Sequence, residues 1–207
     1  PSLFEPIEIN EILGYIKTQF IFSDDIEITM ETNPGSLEYK DLSKYRQAGV
    51  NRLSIGAQSF NQDSLKLLGR IHGPAEIFSC YEEAQLANFE SINVDLMFGL
   101  PNQTLEMAME DIYTLIDLNP EHISYYQLTL EPNTLFYKKR PKNIPPHNLL
   151  YSIQEEGLAL LNKAKYNRYE ISAFSKVGLE CRHNMNYWMF GDYIAVGAGA
   201  HGKFAIN

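Results

Sequence analysis

Apolar and polar positions along the chain alternate between two periods. From Ile9 to Phe20 the apolar residues Ile9, Ile12, Leu13, Ile16 and Phe20 fall at helical spacing. From Ile92 to Phe98 the run is strand-like and carries one carboxylate, Asp95, in its middle. It breaks at Gly99-Leu100-Pro101, and Thr104 opens a stretch in which Leu105, Ala108, Met109, Ile112, Leu115 and Ile116 mark one helical face ending at Asn119-Pro120. A buried-looking strand, a tight turn and an N-capped helix make one βα unit.

The same grammar recurs. A strand from Ile26 to Met30 runs into Glu31 and the turn Asn33-Pro34-Gly35, followed by a helix expected from about Ser36 to Ala48 with Ser36 and Gly49 as its caps. Leu53 to Gly56 runs into Gln58, and Gly56 signals close backbone approach. Asn61 to Gly73 has the look of a mobile segment and carries Arg70 and His72; Pro74 then opens a helix to about Asn88. A strand from His122 to Leu128 carries Gln127 and leads to Thr129. Beyond a Lys- and Pro-rich loop, Lys138 to Pro146, come a helix over about Asn148 to Lys165 and two strands, Tyr169 to Phe174 and Tyr193 to Gly197. The loop divides a core, residues 1–137, from a C-terminal extension, residues 138–207.

The interval from Glu31 to Gln58 is 27 positions, from Gln58 to Asp95 37, and from Asp95 to Thr129 34. Each is about one strand–helix repeat. Parallel strands joined by crossover helices align their carboxyl ends on one face, where ligands bind. Glu31, Gln58, Asp95 and Thr129 are therefore expected to converge, the plainer alternative being that each caps its own turn.

Composition narrows the class. With 207 residues, 44% hydrophobic and 21% charged, the chain can bury a substantial core. A net charge of −9 with scattered Lys and Arg argues against a nucleic-acid surface. No apolar run approaches the roughly 18 residues of a membrane helix. Cys80 and Cys181, about a hundred positions apart, form neither a disulfide framework nor a metal motif, and reduced thiols in the cytoplasm are expected. The abrupt ends, Pro-Ser-Leu-Phe without an initiator Met and Ile206-Asn207 after a Gly-rich stretch, suggest a piece of a longer protein.

Two constellations carry candidate chemistry. Glu31 and Asp95 supply acceptors, Gln58 both donors and acceptors, and Arg70 a fork of donors. Such a set suits an amino-acid nucleoside: carboxylates for ribose hydroxyls and an ammonium, Arg for a carboxylate. Glu31 and Asp95 also fit an acid–base pair, and spacing alone leaves both open. The second is ECRHNMNYW, residues 180–188, followed by GDYIAVGAGAHG. Cys181, His183, Tyr187 and His201 are donor types for iron, and Tyr187, Trp188 and Phe190 offer flat apolar faces. The alternative is a loop packed on the sheet, with His183 in structural hydrogen bonds. Gly197, Gly199 and Gly202 fit no phosphate-loop spacing.

The strings ETNPG, GVNRLSIGAQSF, LGRIH, NVDLMFGLPNQT, HISYYQLTLEPNT, YEISAFS and CRHNMNYWMFGDYIAVGAGAHG occur in order over nearly the whole chain. Together they resemble the HemW branch of the radical S-adenosylmethionine superfamily, related to oxygen-independent coproporphyrinogen III dehydrogenase. The resemblance implies an α/β fold: a partial, open (β/α)6 barrel, here lacking its first strands and carrying extra C-terminal strands. It implies S-adenosylmethionine contacts at Glu31, Gln58, Arg70 and Asp95. It implies haem binding through His183, Asn184 and Tyr187 of the HNxxY motif, with His183 as candidate ligand of the haem iron. The partners implied are haem or porphyrin and a haem-accepting protein; catalytic residues and oligomeric state stay open.

The chain departs from the family in one respect: it has neither CxxxCxxC, which holds the family's [4Fe–4S] cluster, nor the preceding GGGTP apart from Pro1. The cluster is thus expected only in the full-length protein, and reductive cleavage of S-adenosylmethionine is not expected of this chain alone. Rival expectations are the anaerobic decarboxylation of coproporphyrinogen III, against which HNMNY counts, and a barrel enzyme using Glu31 and Asp95 as acid and base.

Overall fold

The computed structural model describes residues 2–35 and 41–205. The elements in chain order are α1 (Pro6–Gln19), β1 (Thr29–Thr32), α2 (Leu42–Ala48), β2 (Arg52–Gln58), α3 (Gln62–Leu67), α4 (Pro74–Leu86), β3 (Ser91–Phe98), α5 (Leu105–Leu118), β4 (His122–Gln127), α6 (Leu135–Lys138), α7 (His147–Lys163), β5 (Asn167–Arg168), β6 (Ala173–Ser175) and α8 (Arg182–Trp188). They build one mixed sheet, ordered β1-β2-β3-β4-β6-β5. Its first four strands are parallel, and β6 and β5 continue it antiparallel beyond β4.

Strand periodicity decides which side is core. Side chains alternate across the pleat, and Leu53, Ile55, Ala57, Ile92, Val94, Leu96, Phe98, Ile123, Tyr125 and Phe174 all turn to one face and are buried. Covering that face, α5 buries Ala108, Met109, Ile112 and Leu115, while α7 buries Leu150, Ile153, Gly157 and Leu161 and packs on α5. Each fully buried Leu or Ile is worth about 1.5–3 kcal/mol relative to exposure. The opposite face carries polar residues, unusual for a sheet interior, and that face holds the site.

The helix ends follow local chemistry. Thr104 accepts the Met107 N–H at 3.2 Å and Asn119 closes α5 at φ +58°. Gly49 closes α2 at φ +113°, a conformation that favours glycine. The N-cap of α2 is Asp41, which accepts from the Ser43 N–H at 3.0 Å; the expected cap Ser36 lies outside the described residues. Buried Asp111 of α5 accepts from the Ser59 hydroxyl and the Phe60 N–H, both at 2.7 Å, tying the end of β2 to the helix layer. Burial pushes its carboxyl up to about 6.

Three local expectations are corrected. Asn61 to Gly73 contains α3, because the Asn61 side chain accepts the N–H groups of Asp63 and Ser64 and starts a helix. Tyr169 to Phe174 is mostly the turn between β5 and β6. There Glu170 accepts both the backbone N–H and the hydroxyl of Ser172, at 2.9 and 3.1 Å, a local bond that competes with strand pairing. Tyr193 to Gly197 makes only one bridge, to Lys203, since Gly197 and Gly199 at φ +114° and +77° turn the chain away. The helix expected from the first apolar stripe is present as α1, which packs on α2 but buries no residue fully, and Ile7, Ile12 and Tyr15 stay exposed. Among the described residues, no helix is long and apolar enough to cross a membrane.

Candidate functional site

The polar face is laid out by register. Glu31 pairs with Ser54, Ser54 with Asn93, Asn93 with His122, and His122 with Ser175, so one row of polar residues crosses five strands. The next inward residue on β3 is Asp95, paired with Ser124. Nothing apolar interrupts the row, because the dipeptide steps Thr29/Glu31, Arg52/Ser54, Asn93/Asp95 and His122/Ser124 all place polar groups inward.

Towards the carboxyl ends of the strands lies a cavity of about 320 Å³, lined by Glu31, Asn33, Gly56, Gln58, Arg70 and Asp95 among others. The four residues expected there, Glu31, Gln58, Arg70 and Asp95, are thus brought together. A register shift between Ile55 and Gln58 and a φ of +71° at Gln58 bend the end of β2 into the cavity. Gln58 Oε1 accepts from the Tyr126 hydroxyl at 2.7 Å, and Arg70 Nη1 donates to Asn33 Oδ1 at 2.9 Å. A Cβ on Gly56 would lie 2.9 Å from Asn33 Oδ1 and 3.1 Å from Gln58 Nε2, so only glycine leaves the cradle open. Carboxylates, an amide and a guanidinium around a side-chain-free stretch of backbone fit a nucleoside bearing an amino acid. Thr129 and Gln127 do not join them. Both are exposed, because β4 ends at Gln127 and the chain has left the sheet by Thr129. From β4 the inward groups are Ser124 and Tyr126 instead.

A second cavity of about 760 Å³ adjoins the first through Glu31, Ser54 and Asp95, and reaches Cys181, Arg182, His183 and Asn184. The walls are wired together. Asn93 Nδ2 donates to Ser54 Oγ at 2.8 Å and to Asp95 Oδ1 at 2.7 Å, leaving its Oδ1 to accept from Ser124 at 3.1 Å and from His122 Nδ1 at 2.6 Å. His122 therefore carries its proton on Nδ1, and its Nε2 accepts from the Tyr169 hydroxyl at 2.6 Å. Tyr169 in turn accepts from Asn184 Nδ2 at 3.1 Å and the Cys181 N–H at 3.2 Å. Burial, aided by the Arg52 charge, pushes His122 down to about 3, which keeps the imidazole neutral. Burial likewise holds the Asp95 carboxyl above its ordinary range, against the pull of Asn93 and Ser124.

The chain of donors ends at α8. His183 is exposed and lines the larger cavity. Tyr187, one turn on, meets it edge-on at 4.8 Å and stacks on Tyr193 at 4.4 Å. Trp188, Met189 and Phe190 stand exposed alongside. Asn184 points inward instead, to Tyr169. Cys181 is buried, donates its S–H to Glu27 at 3.4 Å, and burial pushes its thiol up, so it presents no thiolate. His201 lies in exposed terminal coil and lines neither cavity. Among the described residues, no group of three or more His, Cys, Asp and Glu could hold a metal ion. Two cysteines fall short of the family's three-cysteine motif, so the residues of this chain do not fit the [4Fe–4S] cluster. Periodicity alone does not single out Arg52, Ser54, Asn93, His122 and Tyr169; the repeated polar-x-polar step at four strands signals the first four, whereas nothing local signals Tyr169.

An open sheet whose first four strands are parallel, with two polar cavities on one face, is the partial barrel of a known superfamily. Residues 2–115 match the Radical SAM superfamily, and the chain belongs to it. Among curated proteins, the chain is 52% identical over 206 residues to heme chaperone HemW of Haemophilus influenzae, which covers 100% of this chain and 54% of that protein. Heme chaperone HemW of Escherichia coli is 49% identical over 203 residues, 98% of this chain and 53% of that protein. The chain thus spans about half the length of the curated relatives it matches. Among solved structures, coproporphyrinogen III oxidase (HemN) of Escherichia coli aligns with a TM-score of 0.84 over 98% of this chain and 50% of that one, at 24% identity, a likeness of fold.

Proposed function

We propose that this chain is the S-adenosylmethionine-binding barrel of a protein that binds haem and passes it to an acceptor protein. The carrying observation is the 52% identity to heme chaperone HemW along the whole chain, with HNMNY at the rim of the larger cavity. Glu31 and Asp95 would hold the ribose hydroxyls and ammonium of S-adenosylmethionine, Arg70 its carboxylate and Gln58 its polar edge, while Gly56 lets the ligand approach the backbone. His183 offers the iron an imidazole nitrogen, Tyr187 shapes the face beside it, and Trp188 and Phe190 give apolar area to a flat disc. A [4Fe–4S] cluster, for which this chain has no cysteine motif, would supply the electron for any radical chemistry. Cytoplasmic location, like the acceptor, belongs to this proposal.

The test uses the full-length protein with its cluster reconstituted. It is loaded with haem, mixed with an apo-haemoprotein, and in parallel given coproporphyrinogen III. Haem transfer without loss of propionate carboxyls is the expected result. Decarboxylation without haem binding would make the protein an oxidase of porphyrin synthesis and overturn the proposal.

A further inference from the structure

Arg52 is the first residue of β2, with 5% of its surface exposed, and it lines the larger cavity. Its guanidinium has five donors and a permanent charge. Among the described residues those donors find little. Nη1 reaches Thr29 Oγ1 only at 3.5 Å, and Nε has no hydrogen-bond partner. The nearest carboxylate, Glu27, stands 4.0 Å from Nε. Its other oxygen already accepts from the Arg182 N–H at 3.1 Å and Cys181 Sγ at 3.4 Å. Arg182 itself is paired, with Asp25 at 2.7 Å. His122 beside Arg52 is neutral and bonded at both nitrogens. A buried charge left this short of partners is costly, and a bidentate anion completes it best.

We infer that Arg52 is the receptor for a carboxylate of the ligand in this cavity and, resting on the haem proposal above, that the carboxylate is a porphyrin propionate. The cavity's volume of about 760 Å³ is in the range of organic-ligand sites, roughly 300–1,000 Å³. His183 lines the same cavity, so one molecule with a metal at its centre and carboxylates at its edge can meet both. The carboxylate of S-adenosylmethionine is a poor alternative. Arg52 does not line the smaller cavity, which has a guanidinium of its own in Arg70.

The experiment titrates the full-length protein with haem, with haem dimethyl ester, whose propionates are uncharged, and with S-adenosylmethionine, in wild type and Arg52→Gln. Wild type should bind haem at least tenfold more tightly than the ester. Arg52→Gln should erase that preference by weakening haem alone. Equal binding of haem and ester by wild type overturns the assignment, and this comparison needs no folded variant. So does equal weakening of both ligands in Arg52→Gln, which marks a structural role, or a parallel loss of S-adenosylmethionine affinity, which would give Arg52 to that ligand. Failure of wild type to bind either porphyrin refutes the haem proposal itself, and this assignment falls with it.

Discussion

His122 Nδ1 lies 2.6 Å from Asn93 Oδ1, and that one contact sets the direction of hydrogen bonding across the whole polar face. Because the Asn93 amide nitrogen is committed to Ser54 and Asp95, its oxygen must accept. Every later donor, from Asn184 through Tyr169 and His122, then points towards Asp95. Chains oriented this way polarise one another. The segment carrying His183 is thereby tied to the carboxylate proposed to hold S-adenosylmethionine.

Tyr169 is the junction of that chain, so Tyr169→Phe removes one donor to His122 and the acceptor of Asn184 and Cys181. Leaving buried polar groups unpaired costs about 1–3 kcal/mol. Urea unfolding should show a loss of that size with an unchanged m-value. A variant as stable as wild type would contradict the network.

The neutral state of His122 sets a pH dependence. Its folded-state value, about 3, is below the unfolded one, so the unfolded chain binds the extra proton first. The contribution is fully present above pH 6.5 and is lost as pH falls from there towards 3. The limiting slope is about 1.4 kcal/mol per pH unit. Asp111, raised to about 6, works in the opposite sense: its contribution is fully present below its ordinary value near 3.8 and is lost as pH rises through about 6. Comparing wild type with His122→Gln cancels Asp111. The difference in unfolding free energy should shrink as pH drops from 6.5 to 4, and a constant difference would contradict the assignment.

Gly56 is predicted to act on ligand binding more than on folding. A methyl there meets the Asn33 and Gln58 side-chain ends, both of which line the smaller cavity and must shift to make room. Gly56→Ala should keep a near-native melting temperature and weaken S-adenosylmethionine binding at least tenfold in calorimetric titration of the full-length protein. Unaltered affinity would place the ligand elsewhere.

Much of this was legible in the residues. The βα rhythm fixed four parallel strands to within a few positions, because strands buried on one face and helices with one apolar stripe each impose their own period. Glu31, Gln58, Arg70 and Asp95 do share one cavity. Less legible was anything set by pairing between distant segments. Thr129 looked like a fourth strand-end residue, yet β4 stops two positions earlier. The bends at Glu170 and Gly197 ended strands that local composition favoured. Tyr169 joins His122 across 47 positions, and Arg52 is conspicuous only once its lack of partners is known. Periodicity names the face of a residue but not who stands opposite.

The central claim, that the rim of the larger cavity binds haem through His183, is tested most directly by following the Soret band during haem titration of the full-length protein. Wild type, His183→Ala and Tyr187→Phe are compared, with folding checked by circular dichroism. His183→Ala should shift the band and weaken binding at least tenfold, whereas Tyr187→Phe should keep the wild-type band position, since its ring packing on His183 and Tyr193 is retained. A His183→Ala protein that folds and shows the wild-type Soret position and affinity would contradict the account.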